Sequence, residues 1–179
     1  MIQLDLHDLS WINDAVDDPN DFCAHGRVAL TVSGVIWISP EEGKWTVSAA
    51  GLFLLRTLTD DHTPETPVAE MNQLFACCGS DAWLTSKGRY PVLCMGCDSG
   101  IDVYVRHIGN DVELHRGKHR DRVPLVEWRR ATLGFCRAVR QFYETSTPKV
   151  PRDTDEDRLG WQGFWTEWES RVKAGRSYE

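Results

Sequence analysis

The sequence predicts a single α+β domain in which an antiparallel β-sheet is backed by helices. Segments rich in β-branched or alternating apolar residues lie at 27–39 and 101–115, whereas helical periodicity dominates 124–146 and 160–172. Strands and helices therefore come in blocks rather than in regular alternation, which is typical of α+β proteins. A chain of 179 residues is long enough for one domain with a substantial core and short for two.

The N-terminal part is predicted to form strands followed by a buried helix. Residues 2–9, IQLDLHDL, alternate between apolar and polar side chains, which suits an edge strand or a short amphipathic segment that leads into the domain. Residues 27–39, RVALTVSGVIWIS, predict one long strand that bends at Gly34. Ser48 is then expected to cap a helix over residues 49–61, AAGLFLLRTLTDD, which is apolar on most sides and so belongs in the core.

A β-hairpin is predicted in the middle of the chain. Residues 101–108, IDVYVRHI, place Ile101, Val103 and Val105 on one face, after which GND turns the chain and VELH returns it. The basic residues at 115–122 are expected to form a solvated loop on or beside this hairpin. Contact between that loop and nucleic-acid phosphates is the alternative.

Two helices are predicted in the last third of the chain. Pro124 opens a helix over residues 124–146. Its inward stripe follows steps of three and four residues: Leu125, Trp128, Thr132, Phe135, Val139 and Phe142. After a connection around residues 147–158, which is expected to be flexible, a last helix covers residues 160–172. Three tryptophans share one of its faces: Trp161, Trp165 and Trp168.

Four of the six cysteines lie close together in the sequence: Cys77, Cys78, Cys94 and Cys97. The second pair has the two-residue spacing of a zinc half-site, but the adjacent first pair does not, so His62 or His107 would have to replace one thiolate. A redox-active C-x-x-C normally precedes a helix, whereas this one runs into a strand. Free cysteine packs like a small hydrophobic residue, so packing in the core is favoured and no cofactor is predicted. Zinc held by the four cysteines is the alternative.

No catalytic signature occurs in the sequence, and the chain is not predicted to be an enzyme. The nucleotide-binding patterns G-x-x-x-x-G-K-[ST] and G-x-G-x-x-G are absent, as are H-E-x-x-H and G-x-S-x-G. No apolar run reaches the length of a membrane span, and the acidic N-terminus lacks the charge order of a signal peptide. We therefore expect a cytoplasmic protein without a membrane partner.

The net charge of −7 is unevenly distributed along the chain. Residues 1–26 contain six acidic residues and no Lys or Arg, whereas residues 106–140 contain nine basic and four acidic residues. Residues 153–157, DTDED, are acidic again. Such an asymmetry steers charged partners but says little about the fold.

Several segments together resemble a known group of proteins. They are GKWTVSAAGLFLLRTL, FACCG, GCDSGIDVYVRHIGNDVEL, EWRRA and GFWTEW, and they fall roughly within residues 44–170. This pattern is similar to small bacterial immunity proteins of polymorphic toxin and contact-dependent inhibition systems. The resemblance implies a protein that binds and blocks one cognate toxin, often a nuclease. Small size and acidity suit an inhibitor of a basic, nucleic-acid-cleaving partner.

The partner surface is predicted where acidic residues lie beside aromatic anchors, because this combination makes a specific interface. The first group of candidates is Asp153, Asp155, Glu156 and Asp157, next to Trp161 and Trp165. The second group is Asp60, Asp61 and Glu65. The carboxylates would occlude the toxin's active cleft by mimicking substrate phosphates. The alternative function is a zinc-stabilised domain that contacts nucleic acid through residues 115–122, although a nucleic-acid partner is not favoured.

Overall fold

A computed structural model describes residues 1–14, 16–69, 73–79, 82–94, 96–97, 99–151 and 154–177. Antiparallel sheets and three helices confirm the predicted α+β class. The strands are β1 (Ile2–Ser10), β2 (His25–Val32), β3 (Val35–Ile38), β4 (Trp45–Thr46), β5 (Phe75–Ala76), β6 (Ala82–Leu84), β7 (Val92–Cys94), β8 (Gly100–Ile101), β9 (Tyr104–Ile108), β10 (Asp111–Arg116) and β11 (His119–Pro124). The helices are α1 (Val47–Arg56), α2 (Leu125–Glu144) and α3 (Asp155–Arg176).

The largest sheet is formed by β1, β2 and β3 in that order, and β4 also pairs with β2. The alternation of side chains along β2 buries Val28, Leu30 and Val32 on one face. The first strand pairs with β2 alone among the described strands, which places it at the edge as predicted. Its buried Leu4 lies opposite Leu30, so the two strands share one apolar face.

The prediction of one long strand over residues 27–39 is wrong. The chain reverses at Ser33 and Gly34, which have φ angles of 51° and 82°. Two consecutive residues with positive φ form a tight turn whose twist matches that of paired strands. The segment is therefore the β2–β3 hairpin, in which Val32 lies opposite Val35.

The predicted hairpin in the middle of the chain is confirmed as β9 and β10, but its first strand begins at Tyr104 rather than Ile101, because Gly100 and Ile101 form β8 and pair with β5. A third strand, β11, extends it into a sheet of order β11-β10-β9. The basic segment at 115–122 is thus a second hairpin rather than a loop, and it turns at Gly117, whose φ is 56°. Val105, Val112 and Leu114 are buried on the inner face of this sheet.

The three helices bury their apolar faces in one shared core. Every residue of α1 is buried, but the helix begins at Val47, so the predicted cap at Ser48 is wrong and Thr46 precedes the helix without a side-chain cap bond. In α2 the predicted inward stripe is buried or half-buried along its whole length. Helix α3 is longer than predicted at both ends, and the Thr154 side chain caps it by accepting a hydrogen bond from the Asp157 amide. None of the described helices is long and apolar enough to cross a membrane.

Glycines in α3 allow that helix to pack closely against the short hairpin of β6 and β7. A Cβ atom placed on Gly160 would lie 1.7 Å from the Ala82 carbonyl oxygen, and one on Gly163 would lie 2.3 Å from the Leu84 side chain. Any larger residue at these two positions would therefore push α3 away from β6. This close contact positions the outer face of α3 beside Leu84.

Candidate functional site

A buried ion pair connects α1 to α3. The Arg56 Nε and Nη2 atoms donate to the two carboxylate oxygens of Glu167 at 2.9 and 3.0 Å. Arg56 also donates to the carbonyl oxygens of Val68 at 2.8 Å and Val92 at 2.6 Å. The side chains of Arg56 and Glu167 are only 0% and 4% exposed, so the pair is shielded from solvent. The two hydrogen bonds between Arg56 and Glu167 fix the end of α1 relative to α3.

Further charged side chains surround Tyr90 next to this ion pair. The guanidinium carbons of Arg56, Arg171 and Arg89 lie 4.1, 5.2 and 5.4 Å from the centre of the Tyr90 ring. Asp60 accepts a hydrogen bond from Arg89 at 2.7 Å, and Arg171 donates to Glu167 at 2.7 Å. We call Arg56, Asp60, Arg89, Glu167 and Arg171 the charged network. Burial, reinforced by the nearby Asp60 carboxylate, raises the pKa of Tyr90 to about 12.

A pocket of about 660 Å³ lies between α3, the end of α1 and β6, and we call it the α3 pocket. Its apolar lining includes Leu55, Leu58, Leu84, Pro91, Leu159 and Gly163. Three charged residues also line it: Glu167 and Arg171 of the charged network, and Arg129 of α2. Leu84 and Leu159 are 51% and 52% exposed, so the apolar lining reaches the protein surface. The pocket can therefore receive an apolar side chain from outside.

The acidic first turn of α3 precedes the α3 pocket, whose first lining residue in this helix is Leu159, three residues after Glu156 and four after Asp155. Asp155 and Glu156 are exposed, and Asp155 forms an ion pair with Arg158. Asp157 is half-buried and makes a 2.6 Å hydrogen bond with the capping Thr154 hydroxyl. Carboxylates at a helix N-terminus are stabilised by the exposed amide groups and by the helix dipole. Asp153, which was predicted to belong to the same group, lies outside the described residues.

Trp161 and Trp165 lie on a different face of α3 from the α3 pocket. Both are half-buried, and their ring centres are 5.5 Å apart in an edge-to-face arrangement. Trp165 also contacts Tyr143 of α2 at 5.0 Å, and the Arg140 guanidinium stacks over it at 4.5 Å. These two tryptophans therefore help to dock α3 onto α2, while Leu159 takes the exposed position beside the acidic turn.

The second predicted acidic group makes contacts within the protein. Asp60 belongs to the charged network, and Glu65 accepts a hydrogen bond from the Thr63 hydroxyl at 2.9 Å. Asp61 accepts from the backbone amide of His107 at 2.8 Å and pairs with its Nδ1 at 2.9 Å. Burial would raise the pKa of the Asp61 carboxyl, but the hydrogen bonds from His107 outweigh it and hold the pKa below its ordinary value. Of the three, Asp60 alone reaches α3, through Arg171.

Comparisons of the chain with protein-family models, curated proteins and solved structures found no match. The similarity to immunity proteins is therefore carried by the sequence pattern alone, and it stays a prediction. The geometry and charge of the site are the basis for assigning it a role.

The structure places the basic residues of 115–122 on the hairpin of β10 and β11, whose residues are not among those that line the α3 pocket. Glu113 of β10 lies opposite both Arg106 and Arg122, so it faces basic residues on each neighbouring strand. Arg116 donates to the Trp37 carbonyl oxygen and pairs with Glu42. Some of these basic side chains therefore face or pair with acidic residues of the same protein. The alternative, that residues 115–122 contact nucleic acid, stays a prediction.

The six cysteines all lie among the described residues, and none of them is in a disulfide. Cys23, Cys94 and Cys136 are buried, whereas Cys77, Cys78 and Cys97 are half-buried. His62, a possible fourth zinc ligand, uses both ring nitrogens: Nε2 pairs with Asp102 at 2.7 Å and Nδ1 accepts from the Val68 amide at 3.0 Å. Within the described part of the chain, no group of three or more His, Cys, Asp or Glu side chains is placed to hold a metal ion.

Sequence reasoning identified Asp60 as a candidate but missed the other members of the charged network and the α3 pocket. One signal was available, because Arg56 interrupts the apolar run GLFLLRTL and a charge inside a buried helix requires a partner. Nothing in the local pattern identifies Glu167 as that partner, since it is followed directly by the buried Trp168 in a helix with many other acids.

Proposed function

We propose that the protein is an immunity protein that binds and neutralises a cognate bacterial toxin by stoichiometric protein–protein interaction. The observation that carries the proposal is the position of exposed Asp155 and Glu156 beside Leu159 at the α3 pocket. An apolar centre with a charged rim is the usual composition of a specific protein interface. The proposed occupant is a basic segment of the toxin that carries one apolar anchor.

Electrostatic complementarity supports a basic partner. The chain carries a net charge of −7, and three acids occupy the first turn of α3. Their exposed carboxylates attract Lys and Arg side chains and speed association, and they also disfavour acidic partners. A nuclease needs basic residues to hold nucleic-acid phosphates, so it presents the surface charge that this acidic turn complements.

The rigidity of α3 supports the same surface. The Arg56–Glu167 ion pair holds the helix on one side, and the packing of Trp165 against Tyr143 holds it on another. A surface that is already ordered before binding loses less conformational entropy on association. The first turn of α3 and Leu159 can therefore act as a preformed binding edge.

The partner should first be identified by native mass spectrometry of the protein purified gently from its own cells. The expected result is a complex with one toxin molecule whose activity is blocked in the complex. The toxin's affinity for variants is then measured by titration calorimetry. The double charge reversal Asp155→Lys with Glu156→Lys is expected to weaken binding by about tenfold or more. Leu159→Asp, which puts a charge at the mouth of the α3 pocket, is expected to weaken it by a similar factor.

Glu41→Lys is the control, because Glu41 is also exposed but lies in the 3-10 turn at residues 40–42. It should leave the affinity nearly unchanged. A partner that binds all variants equally would remove the proposed surface, whereas purification without any stoichiometric partner would count against the proposed function itself.

A further inference from the structure

Two loops that carry thiols meet where β5 pairs with β8. The pairing places Ala76 opposite Gly100, and the Cys77 amide extends it by donating to the Ser99 carbonyl oxygen at 2.9 Å. The chain beyond β5 therefore runs beside the chain that leads into β8. This juxtaposition does not involve the α3 pocket, and a role for it is independent of the proposed function.

Cys78 and Cys97 are in direct contact across these loops. The Cys97 amide nitrogen lies 2.8 Å from the Cys78 sulfur and donates a hydrogen bond to it. A Cβ atom on Gly96, which precedes Cys97, would lie 2.3 Å from the Cys78 carbonyl oxygen. Only glycine at position 96 therefore lets the two loops lie this close together. Both thiols are half-buried and hence within reach of small solutes.

The separation suits a disulfide. With ordinary bond lengths, the contact between the Cys78 sulfur and the Cys97 amide limits the distance between the two Cα atoms to about 7 Å. Disulfides commonly bridge Cα atoms separated by up to roughly 6.8 Å. Formation of the bond requires rotation about the side-chain bonds and a small adjustment of the two loops.

The thiols in this cluster are chemically unequal. Burial raises the pKa of both Cys77 and Cys78, whereas the hydrogen bond from the Cys78 thiol lowers the pKa of Cys97. The thiolate is the nucleophilic form of cysteine, so Cys97 is the one that reacts first. The Cys77 and Cys78 thiols both hydrogen-bond to Cys97, but the Cys78 bond lowers its pKa more and the Cys78 sulfur also contacts the Cys97 amide. Cys78 is therefore the thiol placed to react with the oxidised form of Cys97.

We propose that Cys78 and Cys97 form a peroxide-oxidisable dithiol site that closes to a reversible disulfide. The Cys97 thiolate attacks one oxygen of hydrogen peroxide, the O–O bond breaks, and hydroxide leaves as Cys97 becomes a sulfenic acid. The Cys78 sulfur then attacks the Cys97 sulfur, the S–O bond breaks, and water leaves with the Cys78 proton. Two thiols and one peroxide thus give one disulfide and two waters, and a dithiol reductant reverses the oxidation.

The disulfide would cross-link the chain around the β6–β7 hairpin. Residues 79–96 lie between the two cysteines and include both strands, and Gly160 and Gly163 of α3 pack against β6. Closing this loop restricts the unfolded chain. The oxidised protein should therefore melt at a higher temperature than the reduced protein.

The test is oxidation of the folded, full-length protein with hydrogen peroxide, followed by alkylation of the remaining thiols and peptide mapping by mass spectrometry. The expected product is a Cys78–Cys97 cross-linked peptide that dithiothreitol reverses. Cys97→Ser should abolish the cross-link and the rise in melting temperature, whereas Cys77→Ser should retain both. Cys136, which is buried in the core, should stay unmodified and so report that the protein remains folded.

The wild-type map decides the question even if a variant fails to fold. Absence of a cross-link, a dominant cross-link through Cys77, or a zinc ion found on these thiols by native mass spectrometry would each overturn the proposal.

Discussion

Arg56 and Glu167 lie 111 positions apart in the chain, and they form an ion pair with two hydrogen bonds that is almost completely buried. Removing two charges from water is costly, and the cost is offset only when geometry and additional hydrogen bonds are good. Here Arg56 also donates to two backbone carbonyl oxygens and stacks on Tyr90. The pair therefore specifies how α1 and α3 fit together rather than simply adding stability.

Removing one partner of this pair should destabilise the protein strongly. Glu167→Ala leaves the Arg56 charge buried without its carboxylate, and we expect the free energy of unfolding to fall by about 3–5 kcal/mol. Urea unfolding followed by circular dichroism measures the loss. Glu144→Ala is the control, since Glu144 pairs with Arg140 on the surface and such pairs contribute less than about 1 kcal/mol.

The double variant Arg56→Met with Glu167→Leu distinguishes two contributions to the destabilisation of Glu167→Ala. One is the lost attraction between Arg56 and Glu167, and the other is the cost of leaving the Arg56 charge buried without a partner. It removes both charges and should recover most of the stability lost in Glu167→Ala. If the single variant lost no more than Glu144→Ala, the buried ion pair would not hold α3.

The ionisation of Tyr90 should make stability depend on alkaline pH. Its pKa is raised from 10.0 to about 12 in the folded protein. The folded state therefore keeps the phenol proton more tightly, so this contribution to stability is full below pH 10 and is lost as the pH rises towards 12. Tyr90→Phe retains the ring beneath Arg56 but removes the hydroxyl. Unfolding measured from pH 9 to about 11 should show a smaller decline in this variant than in the wild type; equal declines would contradict the assignment.

The parts of the fold that could be predicted are those specified by local periodicity. The stripe that includes Trp128, Phe135 and Val139 identifies α2 because successive turns repeat the same apolar spacing. The hairpin of β9 and β10 was likewise predictable from alternation around a Gly-Asn turn. In contrast, β11 has the polar sequence HRDRVP, and its strand conformation depends on pairing with β10. Charged strands carry little local signal, because their apolar contacts come from one or two residues such as Val123.

The candidate site was predictable only in its local part. Asp155 and Glu156 were recognised because a run of acids lies a few residues before the aromatic side chains of Trp161 and Trp165. The α3 pocket has walls from three separate elements, represented by Leu55, Leu84 and Leu159. No spacing rule connects positions so far apart in the chain.

The turn at Ser33 was missed because serine rarely adopts a positive φ angle and because the alternating apolar pattern continues through this residue.

Asp61 should contribute to stability in a pH-dependent way. Burial opposes its ionisation, but hydrogen bonds from His107 lower its pKa below the ordinary value of 3.8. The unfolded state therefore takes up the proton first as the pH falls, so the stabilisation is complete above about pH 5 and disappears as the pH drops below the folded pKa. Asp61→Asn should reduce stability at neutral pH, and the two stability curves should converge in strong acid. A constant difference between them down to the acid transition would contradict this role.

Two helical glycines should respond in opposite ways to alanine. Gly160 faces the Ala82 carbonyl oxygen, and a Cβ atom there would lie at 1.7 Å, so α3 must shift away from β6. We expect Gly160→Ala to lower the free energy of unfolding by about 1–3 kcal/mol or more, as overpacking does. Gly134 lies on the exposed face of α2 with no atom within 4 Å of such a Cβ, and Gly134→Ala should raise the free energy of unfolding by about 0.5–1 kcal/mol.

The contrast between the two variants isolates packing from intrinsic helix propensity, because the same substitution is made in a helix each time. Urea unfolding of both variants beside the wild type measures the two signs directly. Gly160 packs against β6, and its neighbours Leu159 and Gly163 line the α3 pocket. Gly160→Ala should therefore also weaken binding of the partner, whereas Gly134→Ala should not. If both variants were stabilised equally, α3 would not be docked on β6 as closely as the structure places it. The α3 pocket, which α3 and β6 line together, would then not have the shape described here.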